Sequence, residues 1–131
     1  MQQFRQAIEK RDLKALMSLF TEDVVFRSPV TYRPFEGREQ VETVLTGVMH
    51  VLEDFRYTRA IGDPEAADSA LVFEARVGDR EVEGCDFIHV NEDGLIDELY
   101  VMVRPLTGAL ALAEAMKRQL ATAPAAGPAP A

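Results

Sequence analysis

Asp86 is the residue in this sequence best placed to do chemistry. It lies in the run Arg80-Glu81-Val82-Glu83-Gly84-Cys85-Asp86-Phe87-Ile88-His89-Val90, where alternation sets it on a face otherwise made of Leu71, Phe73, Leu99 and Val101. A carboxyl group held there loses hydration, its pKa rises, and in the neutral form it can donate a hydrogen bond to a ligand oxygen. The alternative is an aspartate paired with Arg27 or another inward basic group, or one at a water-filled mouth of that face. Ser28 and Tyr32, near the end of a first strand, each offer a hydroxyl to orient a ligand. His50 and His89 are the only histidines and fall on outward positions; Cys85 points away from Asp86. Arg104 alternates outward and is expected in an ion pair. Glu92, Asp93, Asp97 and Glu98 form an acidic patch that matches no calcium loop and reads as a solvated turn.

The positioning elements follow from hydrophobic period. Phe4, Ala7, Ile8 and then Leu13, Leu16, Met17, Phe20 recur at helical spacing, predicting helices over about 2–10 and 13–20 with Asp12 as N-cap of the second. A short strand, Asp23–Ser28, runs into Pro29. Val41, Val44, Leu45, Val48 and Leu52 share one face of a helix over about 38–53. Phe55, Tyr57 and Ile61 then alternate as a strand that stops at Gly62-Asp63-Pro64.

Two hairpins define the face that carries Asp86. Gly78-Asp79 suits a type II′ turn, so Val77 faces Arg80, Phe73 faces Gly84 and Leu71 faces Asp86. If Val90 pairs with Leu95 across Asn91-Glu92-Asp93-Gly94, Asp86 faces Leu99 and Gly84 faces Val101. The opposite face carries Cys85, Phe87, His89, Tyr100 and Met102 among charged residues, a mixture that a sheet-mediated homodimer contact uses. A last helix is predicted at 107–121, leaving the Ala/Pro-rich 122–131 as a tail after one domain, 1–121.

Composition narrows the function classes. The chain has 131 residues and a formal charge of −8, from 22 acidic and 14 basic residues, with no basic run, so nucleic acid and anionic membranes are not expected partners. One cysteine and two histidines cannot assemble a zinc set, and no cofactor or metal is expected. No apolar stretch approaches a membrane span and the N-terminus lacks a secretory core, which places the protein in the cytoplasm.

The order α-α-β-α-β-β-β-β implies an α+β fold, a cone-shaped curved antiparallel sheet with helices on its concave face. The segments DLKALMSLFTEDVVFRSPVTYRPFEGREQVETVL and GCDFIHVNEDGLIDELYVMVRPL resemble the nuclear transport factor 2-like superfamily, including ketosteroid isomerases and SnoaL-like cyclases, over about residues 2–106. Ketosteroid isomerases use a first-helix tyrosine, a carboxylate base before the first-strand proline and a protonated strand aspartate. By that resemblance the three fall on Phe4, Ser28 and Asp86, and the cyclase base falls on Val101. One of three isomerase roles is kept.

The resemblance thus implies a cavity for a small, mostly apolar molecule, lined by Phe4, Ser28, Tyr32, Phe73, Asp86, Leu99 and Val101. Asp86 is its candidate catalytic acid for isomerisation, dehydration or cyclisation, with a base from Tyr32, water or the substrate. The rival is a noncatalytic dimeric interaction module whose cavity is plugged by its own side chains. An epoxide-hydrolase-like activity, which needs two inward carboxylates and an arginine, ranks last.

Overall fold

The computed structural model describes residues 1–122; the expected tail, apart from Thr122, lies outside the described residues. Helix α1 spans Gln2–Glu9 and α2 Leu13–Met17, with Asp12 accepting a hydrogen bond from Ala15 N at 3.1 Å as its N-cap. The second helix is shorter than its spacing suggests. Phe20, expected at the end of that helix, instead opens strand β1, Phe20–Arg27, with its side chain fully buried.

A two-residue strand β2, Phe35–Glu36, pairs antiparallel with β1 and leads into helix α3, Arg38–Val51. Sequence periodicity does not reveal β2, since two residues carry no period. Strands β3, Glu53–Ile61, β4, Asp68–Val77, β5, Arg80–Val90, and β6, Ile96–Arg104, follow, and helix α4 spans Leu106–Thr122. The sheet order is β2-β1-β6-β5-β4-β3. It is antiparallel except where β1 runs parallel to β6, so the sheet is mixed and the fold class α+β.

The first hairpin has the register expected from its turn. Gly78 has φ +60° while Asp79 keeps a negative φ, as a type II′ turn requires, and Val77, Phe73 and Leu71 oppose Arg80, Gly84 and Asp86. The second hairpin is displaced. Asn91 Oδ1 accepts from Asp93 N at 2.9 Å and Leu95 N at 3.0 Å, which takes Leu95 out of the ladder. Val90 pairs with Ile96 instead, a bulge follows, and Asp86 opposes Val101 while Gly84 opposes Val103. The net slip past the bulge is two residues, so every side chain keeps its expected face.

The core lies between the sheet and the helices. Phe4, Leu16, Phe20, Val24, Val41, Leu71, Phe73, Ile88 and Leu99 are its fully buried members, each contributing about 1.5–3 kcal/mol by burial. α3 packs on β1 and α4, and α4 lies against β4, β5 and β6. Asp86, 7% exposed, is the single buried charged residue in this interior among the described residues.

Candidate functional site

The site is built around a gap that glycine leaves in β5. A Cβ at Gly84 would come within 2.7 Å of Met102 O and would collide with the Phe73 ring, which crosses the position from β4. Phe73 in turn stacks on Phe55, with centroids 4.8 Å apart and planes at 25°. Phe55 meets Tyr57 edge-on at 4.9 Å, and Tyr57 meets Phe73 edge-on at 6.5 Å. Two rings, Phe55 and Phe73, therefore hold the Tyr57 phenol in one orientation, with the Arg5 guanidinium 5.8 Å from its centroid.

That orientation carries the Tyr57 hydroxyl from β3 across β4 to β5, where it donates to Asp86 Oδ2 at 2.9 Å. Two strand spacings are about 10 Å, a gap closed by the length of the tyrosine, the hydrogen bond and the aspartate side chain together. Among the described residues Asp86 has no other hydrogen-bond partner and no ion-pair partner. Burial pushes its pKa up to about 7, and the hydrogen bond from Tyr57 pulls in the opposite direction with less effect. Burial first, and the neighbouring Asp86 charge second, raise the pKa of Tyr57, which stays a proton donor. At neutral pH the carboxyl group is therefore divided between an acid that can donate and a carboxylate that can accept.

Both groups open into a cavity of about 280 Å³. Its walls are largely apolar, with Phe26, Phe35, Val44, Leu45 and Leu52 on one side and Leu112, Met116 and Leu120 of α4 on another. The volume falls just below the roughly 300–1,000 Å³ of typical small-molecule pockets.

The residues singled out in the sequence divide as follows. Phe4, Ser28, Phe73, Asp86, Leu99 and Val101 all line the cavity. Ser28 Oγ accepts from Val30 N at 3.1 Å, a local turn bond, and its residue type supplies no base. Tyr32 does not line it: the side chain is 100% exposed, because its loop turns it to solvent, so it supplies neither hydroxyl nor base. Arg27 does not pair with Asp86 and instead holds Glu98 at 2.9 Å.

The outward residues are engaged where alternation puts them. His89 contacts Asp97 at 2.6 Å, Arg104 donates to Glu83 at 2.8 Å, and exposed His50 contacts the Thr46 carbonyl of its own helix at 2.8 Å. Burial raises the Cys85 thiol pKa, which keeps it protonated and unreactive. No cluster of three or more metal-ligating side chains occurs among the described residues.

Tyr57 is a candidate site residue that the sequence pattern marks only as part of an alternating strand. The signal was present in register: Tyr57 opposes Phe73, Phe73 opposes Gly84, and Asp86 lies two residues along the same face. Bulges between Glu53 and Arg56 and between Tyr57 and Arg59 break the alternation of β3 that would have exposed it.

Residues 1–99 match the family model of the SnoaL-like domain. A steroid delta-isomerase from Pseudomonas aeruginosa is 42% identical, superposes with a TM-score of 0.86, and the match covers 91% of this chain and 87% of that one. An uncharacterized protein with a cystatin-like fold, conserved in bacteria, from Silicibacter pomeroyi is 36% identical with a TM-score of 0.87, covering 92% and 84%. No curated protein matches the sequence. With three-quarters of its length matched and two close structural relatives, the chain belongs to the SnoaL-like domain family of the nuclear transport factor 2-like superfamily.

Proposed function

We propose that this domain binds a small, mostly apolar molecule and presents the Tyr57–Asp86 pair to an oxygen of that ligand. The observation that carries the reading is a buried carboxyl group, hydrogen-bonded only to a buried phenol, opening into an otherwise largely apolar cavity of about 280 Å³. A ketone, enone or phenol oxygen at Asp86 would receive a hydrogen bond from the protonated acid, while Tyr57 holds the carboxyl in place. The 42% identical steroid delta-isomerase supports a ligand of that shape and polarity. The open space reaching Asp86 favours this reading over a plugged cavity, while its volume falls just short of the ~300 Å³ at which such pockets begin.

Chemistry of the acid-assisted kind, isomerisation, dehydration or cyclisation, is the catalytic form of the proposal, with Asp86 as acid. The cavity supplies no free carboxylate base opposite it: Glu9 and Asp54 line the cavity but are held by Arg5 at 3.5 Å and Arg76 at 3.0 Å. Water or the substrate itself would take the proton. A cytoplasmic setting and a homodimer through the outer sheet face, where Phe87, Tyr100 and Met102 are 40–54% exposed, complete the proposal.

The test is carbon-13 NMR of labelled aspartate carboxyl groups, with Asp86→Asn for assignment. The Asp86 resonance should titrate near pH 7 and shift on addition of a phenol or enone. Titration near the unperturbed value of ~3.9 with no response to such ligands would sink the binding role of Asp86. Ultraviolet detection of conjugation in a β,γ-unsaturated ketone then separates turnover from binding.

A further inference from the structure

The cavity is apolar within, but its rim is charged, and the charges are not equivalent. Four ionised side chains besides Asp86 line it: Glu9, Arg11, Asp54 and Lys117. Both carboxylates are already paired from outside, Glu9 with Arg5 at 3.5 Å and Asp54 with Arg76 at 3.0 Å, Arg76 being shared with Glu53 at 3.6 Å. Neither cation is. Among the described residues, Arg11 and Lys117 form no ion pair, and Arg11 spends one N–H on the carbonyl of Met49 in α3. A chain of net charge −8 thus leaves two uncompensated cations at the edge of its cavity.

Their placement is specific. Arg11 occupies the corner between α1 and α2 with φ +55°, a left-handed conformation that glycine or asparagine adopts more readily. Lys117 projects from α4, whose neighbouring Ala113, Met116 and Leu120 also line the cavity. α4 lies entirely beyond residue 99, where the match to the SnoaL-like domain ends, so this cation belongs to a wall that the family match does not include.

We propose that the ligand is an amphipathic anion: an apolar body filling the cavity, an oxygen at the Tyr57–Asp86 end, and a carboxylate or sulfate at the rim held by Lys117 and Arg11. This rests on the ligand-binding reading and narrows its substrate class. An anion at the rim gains from two cations whose countercharges would otherwise be solvent ions, while one placed at the buried end would meet the Asp86 carboxylate.

Two fluorescent probes of nearly the same shape test it: 8-anilinonaphthalene-1-sulfonate and its uncharged counterpart N-phenyl-1-naphthylamine, titrated into the full chain at low and moderate salt. The anion should bind roughly ten-fold more tightly at low salt and lose that advantage as salt screens the rim. Lys117→Gln should weaken the sulfonate by about three- to ten-fold, Lys117→Glu more, and Lys117→Arg should restore it, with the neutral probe unchanged throughout. Arg11→Gln should act in the same direction. Ala113→Phe, which fills the cavity, should weaken both probes.

Equal affinity for the two probes, or a sulfonate affinity indifferent to Lys117, would overturn the anionic assignment and leave the apolar-ligand reading intact. Failure of both probes to bind, or binding indifferent to Ala113→Phe, would overturn the cavity reading and this inference with it. The two failures are thereby distinguishable.

Discussion

Asp86 and Asp97 lie on neighbouring strands of one sheet, and the sheet gives them opposite lives. Asp86 faces inward, is 7% exposed, and has a neutral phenol for its partner. Asp97 faces outward, has a histidine 2.6 Å away, and is half in water. The difference teaches that residue type decides little here and pleat direction decides most. Inside, burial favours the neutral acid; outside, the hydrogen bond to Asp97 favours the charged imidazole and raises the His89 pKa. Both devices make the protein more stable toward acid, but in separate windows.

The inner device should dominate. The folded-state pKa of Asp86 lies above its unfolded value, so the native state holds the extra proton between about pH 4 and 7 and stability falls as pH rises through that range. Asp86→Asn removes the penalty: at pH 9 it should be more stable than the parent by up to about 4 kcal/mol, three pKa units at 1.36 kcal/mol each, with relaxation reducing the figure. The gain should fade as pH drops toward 4. Urea melts at pH 4, 7 and 9 check this, and a gain independent of pH would dissolve the contrast between the two aspartates.

Next in size is the glycine beneath Phe73. Gly84→Ala should cost about 1–3 kcal/mol because Met102 O and the ring cannot both yield, and it should also disturb the Asp86 titration by moving Tyr57. An alanine variant of unchanged stability and titration would mean that the aromatic stack does not position the pair.

Tyr57→Phe sharpens the comparison further. Removing the hydroxyl takes away the one interaction that lowers the Asp86 pKa, so the carboxyl should titrate above 7, and at pH 9 the variant should lose about 1–3 kcal/mol. A downward move of the Asp86 midpoint in the NMR titration would contradict the geometry.

The outer pair sets the small end of the scale. The pKa of His89 is raised in the folded state, so its contribution is complete below the unfolded value of about 6.5 and is lost as pH rises through the folded one. Asp97→Asn should therefore cost below about 1 kcal/mol at pH 6 and nothing at pH 9, read as the same urea midpoints.

Much of this was legible in the sequence. Gly78-Asp79 set the β4–β5 register, alternation then put Asp86 inward, and Phe4, Ser28, Phe73, Leu99 and Val101 line the same cavity as Asp86. What escaped is local. The side chain of Asn91 claims Leu95 and shifts the second hairpin, a competition between side chain and backbone that periodicity does not register. Tyr32 sits in a loop, where no period fixes direction. The partnership of Tyr57 with Asp86 spans 29 residues and two strand pairings, one of them bulged, so it could be assembled only from both registers together.

The helix that closes the cavity has a consequence for how such a domain can change. Leu112, Met116, Lys117 and Leu120 all come from α4, whereas Tyr57 and Asp86 come from the sheet. On the proposed reading, one wall of the ligand space thus lies in a stretch of chain separate from Tyr57 and Asp86, joined to the sheet at Pro105. Substitutions along α4 would then retune that wall without moving the Tyr57–Asp86 pair, making the helix the place to redesign the proposed selectivity and β3 and β5 the strands to leave alone.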